Sequence, residues 1–123
     1  MLFLVELDRV APAVPLTPDA GRTFVEQIVL PTIARAEQLI ADKKIVSGGA
    51  VVGRIALRFI LEVESPGELD RIVSSLPLWP LAQTRVTPLL ALSERREHVQ
   101  QLLQRGFRAD LPDGRSGPAG RGA

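Results

Sequence analysis

The sequence predicts an α+β domain in which two strand–helix–strand units share one sheet. Residues 54–64 alternate apolar and polar side chains with the period of two that indicates a half-buried strand. Ser65-Pro66-Gly67-Glu68 follows directly and is a capping box, which predicts the start of a helix. A strand at residues 2–8 and a helix start at Thr17-Pro18-Asp19 give the first half of the chain the same order of elements.

The first helix is predicted to run from Thr17 toward Lys43. Threonine caps free backbone N–H groups, and proline suits the first turn. Pro31 lies within this helix and predicts a kink or a break, because proline lacks the N–H that the helix needs. The candidate core residues of the helix are Phe24, Ile28, Ala36, Leu39 and Ile40.

The second and third strands follow each other closely along the chain. Residues 45–52 are typical of a strand that Gly48-Gly49 interrupts, which predicts a bulge or a close approach to the backbone. Gly53 makes the turn into the strand at residues 54–64. The helix after the capping box then carries an apolar stripe formed by Leu69, Ile72, Val73 and Leu76.

The last part of the chain adds a fourth strand and an extra helix. The strand is predicted at residues 83–90 and at a sheet edge, where Pro88 is better tolerated. The helix starts at Ser93 and stops at Gly106, with Val99, Leu102 and Leu103 as residues for a partner surface. Residues 107–123 are rich in Gly, Pro and Arg and are expected to be a flexible tail, so the domain is assigned to residues 1–106.

Composition argues against several classes of function. The net charge is +1 and aromatic residues make up 4%, so neither nucleic acid nor an anionic membrane is expected as a partner. Because cysteine is absent, disulfides, thiolate catalysis and cysteine-type zinc sites are excluded. The N-terminal MLFLVELDR has no basic leader, and no apolar run approaches the roughly 20 residues that span a bilayer. We therefore expect a soluble cytoplasmic protein.

This order of elements is the split βαβ, ferredoxin-like arrangement. Both long helices are expected to cover the face with Phe3, Val5, Leu7, Leu57, Phe59 and Leu61. The opposite face is too apolar for water and too charged for a dry core, and it carries Leu2, Leu4, Ala56 and Ile60 beside Glu6, Arg54, Arg58 and Glu62. We expect a homodimer or higher homo-oligomer that pairs these faces into an α+β barrel around a small cavity. The alternative is a monomer with an open sheet.

Several short motifs carry a resemblance to a known family. They are the opening MLF, VVGR at residues 51–54, VES-x-x-EL at 63–69, LPL-x-P at 76–80 and VTPL at 86–89. In these motifs the chain resembles the muconolactone isomerase family of bacterial aromatic catabolism, up to about Leu92. The resemblance implies the ferredoxin-like dimeric fold and a cofactor-independent isomerisation of a small lactone or a related product of aromatic catabolism.

The chain departs from that family pattern at polar positions. The pattern has histidine in place of Leu4, a basic residue in place of Glu6 and a Trp–Arg pair in place of Gly49-Ala50. It has tyrosines on the third strand, where the cavity-facing residue here is Arg58. Arg54 is the polar residue of the set that this chain keeps.

Glu6, Arg54 and Arg58 form the predicted catalytic set. Lactone isomerisation moves a proton between two carbons, which requires a base and a donor group for the oxygen that gains charge. Glu6 is the candidate base, and an arginine is the clamp for an oxyanion or a carboxylate. The residues expected to contact the substrate are Leu4, Ala56, Ile60 and Trp79. The alternative role for Glu6 is a cross-strand or cross-dimer salt bridge that fixes subunit register.

No cofactor and no metal site is predicted. Gly48-Gly49 lacks the lysine and glycine spacing of a phosphate loop, and the acidic residues of the first helix have no convincing metal spacing. The single histidine, His98, lies among charged residues and is expected on the surface. A non-catalytic dimeric protein of the same fold, with a binding or structural role, is the alternative function.

Overall fold

The computed structural model describes residues 1–106, and the predicted tail at residues 107–123 lies outside them. The chain divides into a unit that contains the sheet, Met1–Leu89, and a second unit that begins at Leu90. The elements of the first unit are β1 (Leu2–Arg9), α1 (Pro18–Phe24), a π-helical turn (Val25–Val29), α2 (Leu30–Ala41), β2 (Ile45–Ala50), β3 (Ala56–Glu62), α3 (Pro66–Ser74), a 3₁₀ turn (Trp79–Leu81) and β4 (Ala82–Leu89). The described part of the second unit contains α4 (Leu92–Gln104).

The four strands form one antiparallel sheet in the order β2-β3-β1-β4. This is the ferredoxin-like α+β topology, so the predicted fold class is confirmed. The edge position of β4 is also as predicted, and it accommodates Pro88 because an edge strand has one side free of ladder hydrogen bonds.

The core lies between one face of the sheet and the helices. Alternate residues of β1 and β3 point into it, as their period of two predicts, and those residues are Phe3, Val5, Leu7, Leu57, Phe59 and Leu61. The stripe predicted on α3 is buried as well. From α2 the core takes Ala36 and Leu39, whereas Ile40 is 52% exposed and its assignment to the core was wrong.

Pro31 does not break the first helix, so the break that the sequence allowed beside a kink is absent between Pro18 and Ala41. The helix passes from α1 through the π-helical turn into α2, and the Leu30 N–H bonds to the Val25 carbonyl five residues earlier. Because Pro31 has no N–H, a wider turn absorbs the missing donor. The Thr32 hydroxyl donates to the Ile28 carbonyl at 2.7 Å, which satisfies another acceptor in this turn. Thr17 caps α1 as predicted, accepting from Ala20 N at 3.1 Å.

The hairpin of β2 and β3 carries the irregularity that the glycine pair predicted. The register shifts between Ile45 and Ser47, and Gly48 has a φ of +120°. A Cβ at Gly48 would lie 2.0 Å from the Arg58 carbonyl oxygen, so only glycine fits this approach. Both strands are shorter than predicted, because residues 51–55 form the connection between them and β3 ends at Glu62 rather than at Glu64.

The start of α3 is tied to the sheet by Glu68. The Ser65 hydroxyl caps the helix by accepting from the Glu68 N–H at 3.1 Å, and the Glu68 carboxylate accepts from the Glu64 N–H at 2.8 Å. Lys44 Nζ, just before β2, lies 2.6 Å from Glu68 Oε2. The Glu64 N–H first, and then Lys44, lower the pKa of Glu68, while its hydrogen bond to Glu68 raises the pKa of Lys44.

Within residues 90–106, the described part of the second unit, α4 is the one regular element. It begins one residue before the predicted Ser93, and Gly106 follows its end with a φ of +88°. Its apolar residues Val99 and Leu103 are 45% and 61% exposed, and His98 is exposed as expected. Among the helices of residues 1–106, none is long and apolar enough to cross a membrane.

Candidate active site

The open face of the sheet is arranged in cross-strand rows. Residues that pair directly in an antiparallel sheet point to the same side, so the register assigns each row. Leu4 lies between Thr87 and Ile60 in one row. In the next row Glu6 lies between Arg85 and Arg58. The period of two in β1 and β3 therefore places a charged row beside an apolar one.

Arg58 occupies the centre of the charged row. Its Nε lies 3.2 Å from Glu6 Oε2, and its Nη2 donates to both carboxylate oxygens of Asp8 at 3.2 and 3.3 Å. Its Nη1 donates to the Leu57 carbonyl at 2.9 Å. Gly49 of the neighbouring strand β2 pairs with Arg58 on its other side. Gly49 has no side chain, so the space beside Arg58 is open there. One guanidinium therefore holds two carboxylates in fixed positions.

Two further arginines approach the same carboxylates. Arg54, from the connection before β3, places Nη2 3.4 Å from Asp8 Oδ1. Arg85, on β4, places Nη1 3.8 Å from Glu6 Oε1, and 79% of its side chain is exposed. The cluster of Glu6, Asp8, Arg54, Arg58 and Arg85 carries three positive and two negative formal charges. We call it the ionic cluster, and its charge balance favours an anionic ligand.

A recess lies beside the ionic cluster. It has a volume of about 170 Å³, and its lining includes Glu6, Asp8, Arg58 and Arg85 together with Gln83 and Thr84. The carboxylates supply acceptors, and the guanidinium groups supply donors and positive charge. Such an arrangement can take up a proton at a carboxylate and stabilise negative charge on a neighbouring oxygen.

The structure brings together some of the residues that the sequence singled out. Glu6, Arg54 and Arg58 belong to the ionic cluster. Leu4 and Ile60 are half-buried in the adjoining row, and Ala56 is 2% exposed opposite Asp8. Trp79 lies on a different element, the 3₁₀ turn before β4, and is 41% exposed.

Sequence reasoning missed the role of Asp8. Its carboxylate contacts both Arg54 and Arg58, so it joins the two arginines of the predicted catalytic set. The signal was available, because Asp8 follows Glu6 by two residues on a strand and therefore points to the same face.

Most of this chain matches a known protein family. The family model described as Muconolactone delta-isomerase matches residues 1–106. The chain belongs to this family. A muconolactone delta-isomerase of Cupriavidus pinatubonensis strain JMP 134 is 36% identical over 89 residues, which cover 72% of this chain and 91% of that relative. The resemblance inferred from the motifs between Val51 and Leu90 is therefore confirmed at the level of the muconolactone isomerase family.

Solved structures support the same fold. A crystal structure of muconolactone isomerase aligns with a TM-score of 0.61 and 23% identity, covering 74% of this chain and 90% of that one. A 5-chloro-2-hydroxyhydroquinone dehydrochlorinase of Burkholderia phenoliruptrix, in complex with 2,5-dihydroxybenzoquinone, aligns with a TM-score of 0.54 and 24% identity, covering 73% of this chain and 94% of that one. The muconolactone isomerase fold thus occurs in proteins named for different reactions.

Proposed function

We propose that this chain is a cofactor-independent isomerase that shifts a proton within a small lactone or a related oxidised ring product of aromatic catabolism. The observation that carries the proposal is the ionic cluster, in which Arg58 holds Glu6 and Asp8 within 3.3 Å on one side of the sheet. Membership of the muconolactone isomerase family supports the reaction class. A cytoplasmic location fits a chain without cysteine.

The proposed reaction uses a carboxylate as the base. Glu6 removes a proton from a ring carbon, and the electron pair of that C–H bond moves through the conjugated system to the carbonyl oxygen. Arg54 or Arg58 stabilises the negative charge on this oxygen. The proton then returns from Glu6 to another carbon of the same molecule, which moves the double bond. Atoms and charges balance without an added reactant.

We further propose that a second copy of the chain covers the open face. Leu2, Leu4 and Ile60 are half-buried there beside Leu89, which is 38% exposed, and the helices of the Met1–Leu89 unit pack against the other face. A paired face would enclose the recess and exclude water from it. Ile60→Glu should convert a dimer in sedimentation analysis to a monomer, whereas Ile40→Glu on α2 should not. A wild-type monomer at micromolar concentration would contradict this proposal.

The catalytic proposal is tested with muconolactone. Wild-type protein should change the ultraviolet absorption of the substrate, and Glu6→Gln should reduce the rate by about 100-fold or more, the usual contribution of general acid–base catalysis. Glu37→Gln, at an exposed position on α2, is the matched control and should keep the wild-type rate. Full activity in Glu6→Gln would reject Glu6 as the base, and Asp8→Asn would then test the second carboxylate.

The second candidate function is binding without turnover. It is favoured by the contact of both carboxylates with arginines and by Leu4 and Gly49 at positions where the family pattern has polar or aromatic side chains. In this case the cluster fixes the strands, and an anionic ligand pairs with Arg85 or Arg54. Saturable binding of muconolactone with no change in its spectrum over hours would support this function, and measurable isomerisation would reject it.

A further inference from the structure

A second pocket lies on the covered side of the same sheet, at the end where Arg54 is located. It has a volume of about 160 Å³ and lies between the start of α2 and the β2–β3 connection. Its lining is apolar except for Thr32 and Arg54, and the apolar side chains include Val29, Ile33, Ala50, Ile55, Leu57 and Leu78. An apolar cavity of about 150 Å³ accepts one benzene molecule, so this volume matches a single ring.

The irregular turn in the helix forms one wall of this pocket. Val29 ends the π-helical turn, and Thr32 and Ile33 follow Pro31 on α2. Thr32 is 2% exposed, and its hydroxyl donates to the Ile28 carbonyl and accepts from the Leu78 N–H at 3.0 Å. Because its hydrogen bonds are made within the protein, the wall offers an apolar surface to an occupant. π-helical turns of this kind often occur at functional sites.

The mouth of the pocket carries a positive charge. Arg54 lines this pocket and also a hollow that Asp8 lines, and 60% of its side chain is exposed. Its contact with Asp8 is 3.4 Å long, longer than the usual N–H···O distance between charged partners. The guanidinium can therefore exchange this weak pair for a carboxylate on an occupant of the pocket.

We propose that this pocket binds the ring of a small apolar acid and that Arg54 pairs with its carboxylate. This assignment rests on the proposed function for the class of ligand, a small acid with a ring, and deepens it by naming Arg54 as the group that binds the carboxylate. Arg54 is common to the pocket and the ionic cluster, so one ligand can reach both. The binding step can be measured without turnover.

Benzoate and benzyl alcohol are the charged and neutral probes, titrated into the full chain and followed by NMR chemical shifts. Both should shift the signals of Val29, Ile33, Ala50 and Ile55. Benzoate should reach half-saturation at about 10 mM or below, the affinity that a ligand of this size reaches at ordinary ligand efficiency. Shifts confined to Glu6, Arg58 and Arg85 would overturn the proposal, and so would a failure to saturate.

Three variants separate the ring from the charge. Ala50→Leu fills the pocket and should lower the affinity for both probes about 10-fold or more. Val46→Leu, at an exposed position on the same strand, should leave both affinities unchanged. Arg54→Met should lower the affinity for benzoate about 10-fold and the affinity for benzyl alcohol less than about 2-fold. If Ala50→Leu fails to fold, Ile33→Trp on α2 repeats the test, with Ile40→Trp as its control. Unchanged benzoate affinity in the filled variants would overturn the pocket.

Glu6→Gln distinguishes a failure of this inference from a failure of the proposed function. The variant should lose isomerase activity but bind benzoate at least as tightly as the wild type, because Glu6 does not line the apolar pocket and its replacement removes a negative charge from the ionic cluster. If the wild type isomerises muconolactone but does not bind benzoate, the proposed binding site is rejected and the proposed function stands. If benzoate binds at the pocket but muconolactone is not turned over, the proposed binding site is supported and the proposed isomerase function is rejected.

Discussion

On strand β1, Val5 and Leu7 are fully buried, whereas Glu6 and Asp8 keep 22% and 37% of their side chains exposed. These four residues alternate along one strand, so the two faces of the sheet differ in environment while they share a backbone. The covered face is filled by apolar side chains of the sheet together with those of helices α2 and α3. The open face holds the ionic cluster.

This difference in environment distinguishes the side chains that stabilise the fold from the side chains that can vary without unfolding it. Side chains on the covered face are constrained by close packing, because each contacts several neighbours in a dense core. Side chains on the open face meet ions and other polar groups, so they can change identity without unpacking the fold. The departures from the family pattern that concern strands β1 and β3 fall at Leu4, Glu6 and Arg58, all on the open face.

The largest expected effect compares two leucines of the same strand. Leu7→Ala removes a fully buried side chain and should lower the free energy of unfolding by about 2–5 kcal/mol. Leu4→Ala, on the half-buried open face, should cost about 1 kcal/mol or less in dilute, monomeric protein. Urea denaturation followed by circular dichroism measures both. Equal losses in the two variants would contradict the distinction between the faces.

The period of two predicted the covered face well. Each of the six residues assigned to it from β1 and β3 is buried, because alternation along a strand is set by backbone geometry. For Glu6 the sequence indicated a cross-strand contact with an arginine without choosing between Arg54 and Arg58, and Arg58 makes this contact. The sequence did not predict the apolar pocket, which arises where Val29 and Ile33 meet the connection at Ile55, residues that are distant along the chain.

The path of the first helix could be predicted only in part. Pro31 signalled an irregularity, but a kink, a break and a wider turn all accommodate the missing N–H. The Thr32 hydroxyl, which bonds both to Ile28 and to the distant Leu78, helps to hold the observed turn. That second bond depends on a loop 46 residues further along the chain, and no local pattern reports it.

The next prediction concerns the centre of the ionic cluster. Arg58→Met should lower the free energy of unfolding by about 1 kcal/mol, because Arg58 is partly buried and its removal leaves Glu6 and Asp8 repelling each other. A double-mutant cycle with Glu6→Gln measures the coupling of the pair, which should fall as salt is added. A coupling energy of zero at low salt would mean that the cluster does not stabilise the sheet.

A smaller effect is expected at the pair that joins α3 to the sheet, on the opposite side from the ionic cluster. The pKa of Glu68 lies below its ordinary value of 4.5, so its contribution is present above pH 4.5 and is lost as the pH falls through the lowered pKa. The raised pKa of Lys44 makes its contribution disappear only above pH 10.5. The stability difference between wild type and Glu68→Gln should therefore be constant from pH 6 to 9 and shrink below about pH 4.5.

Urea unfolding at pH 7, 5, 4 and 3 measures this difference, and Glu37→Gln on the exposed side of α2 is the control. The control should show little change in stability relative to wild type at each pH, because surface substitutions away from specific contacts have small effects. A Glu68→Gln difference that stays constant down to pH 3 would show that the hydrogen bonds to Glu64 and Lys44 do not favour the charged carboxylate.

The smallest expected effect on stability lies at the edge of the open face. Arg85 is 79% exposed and 3.8 Å from Glu6, so Arg85→Met should change the free energy of unfolding by less than about 0.5 kcal/mol. Because Arg85 pairs with Glu6 in the sheet, its side chain nevertheless lies beside the recess. If an anionic ligand binds in the recess, Arg85→Met should lower its affinity about 5- to 10-fold while leaving the free energy of unfolding unchanged. Equal ligand affinity in the variant and the wild type would confine anion binding to Arg54 and Arg58.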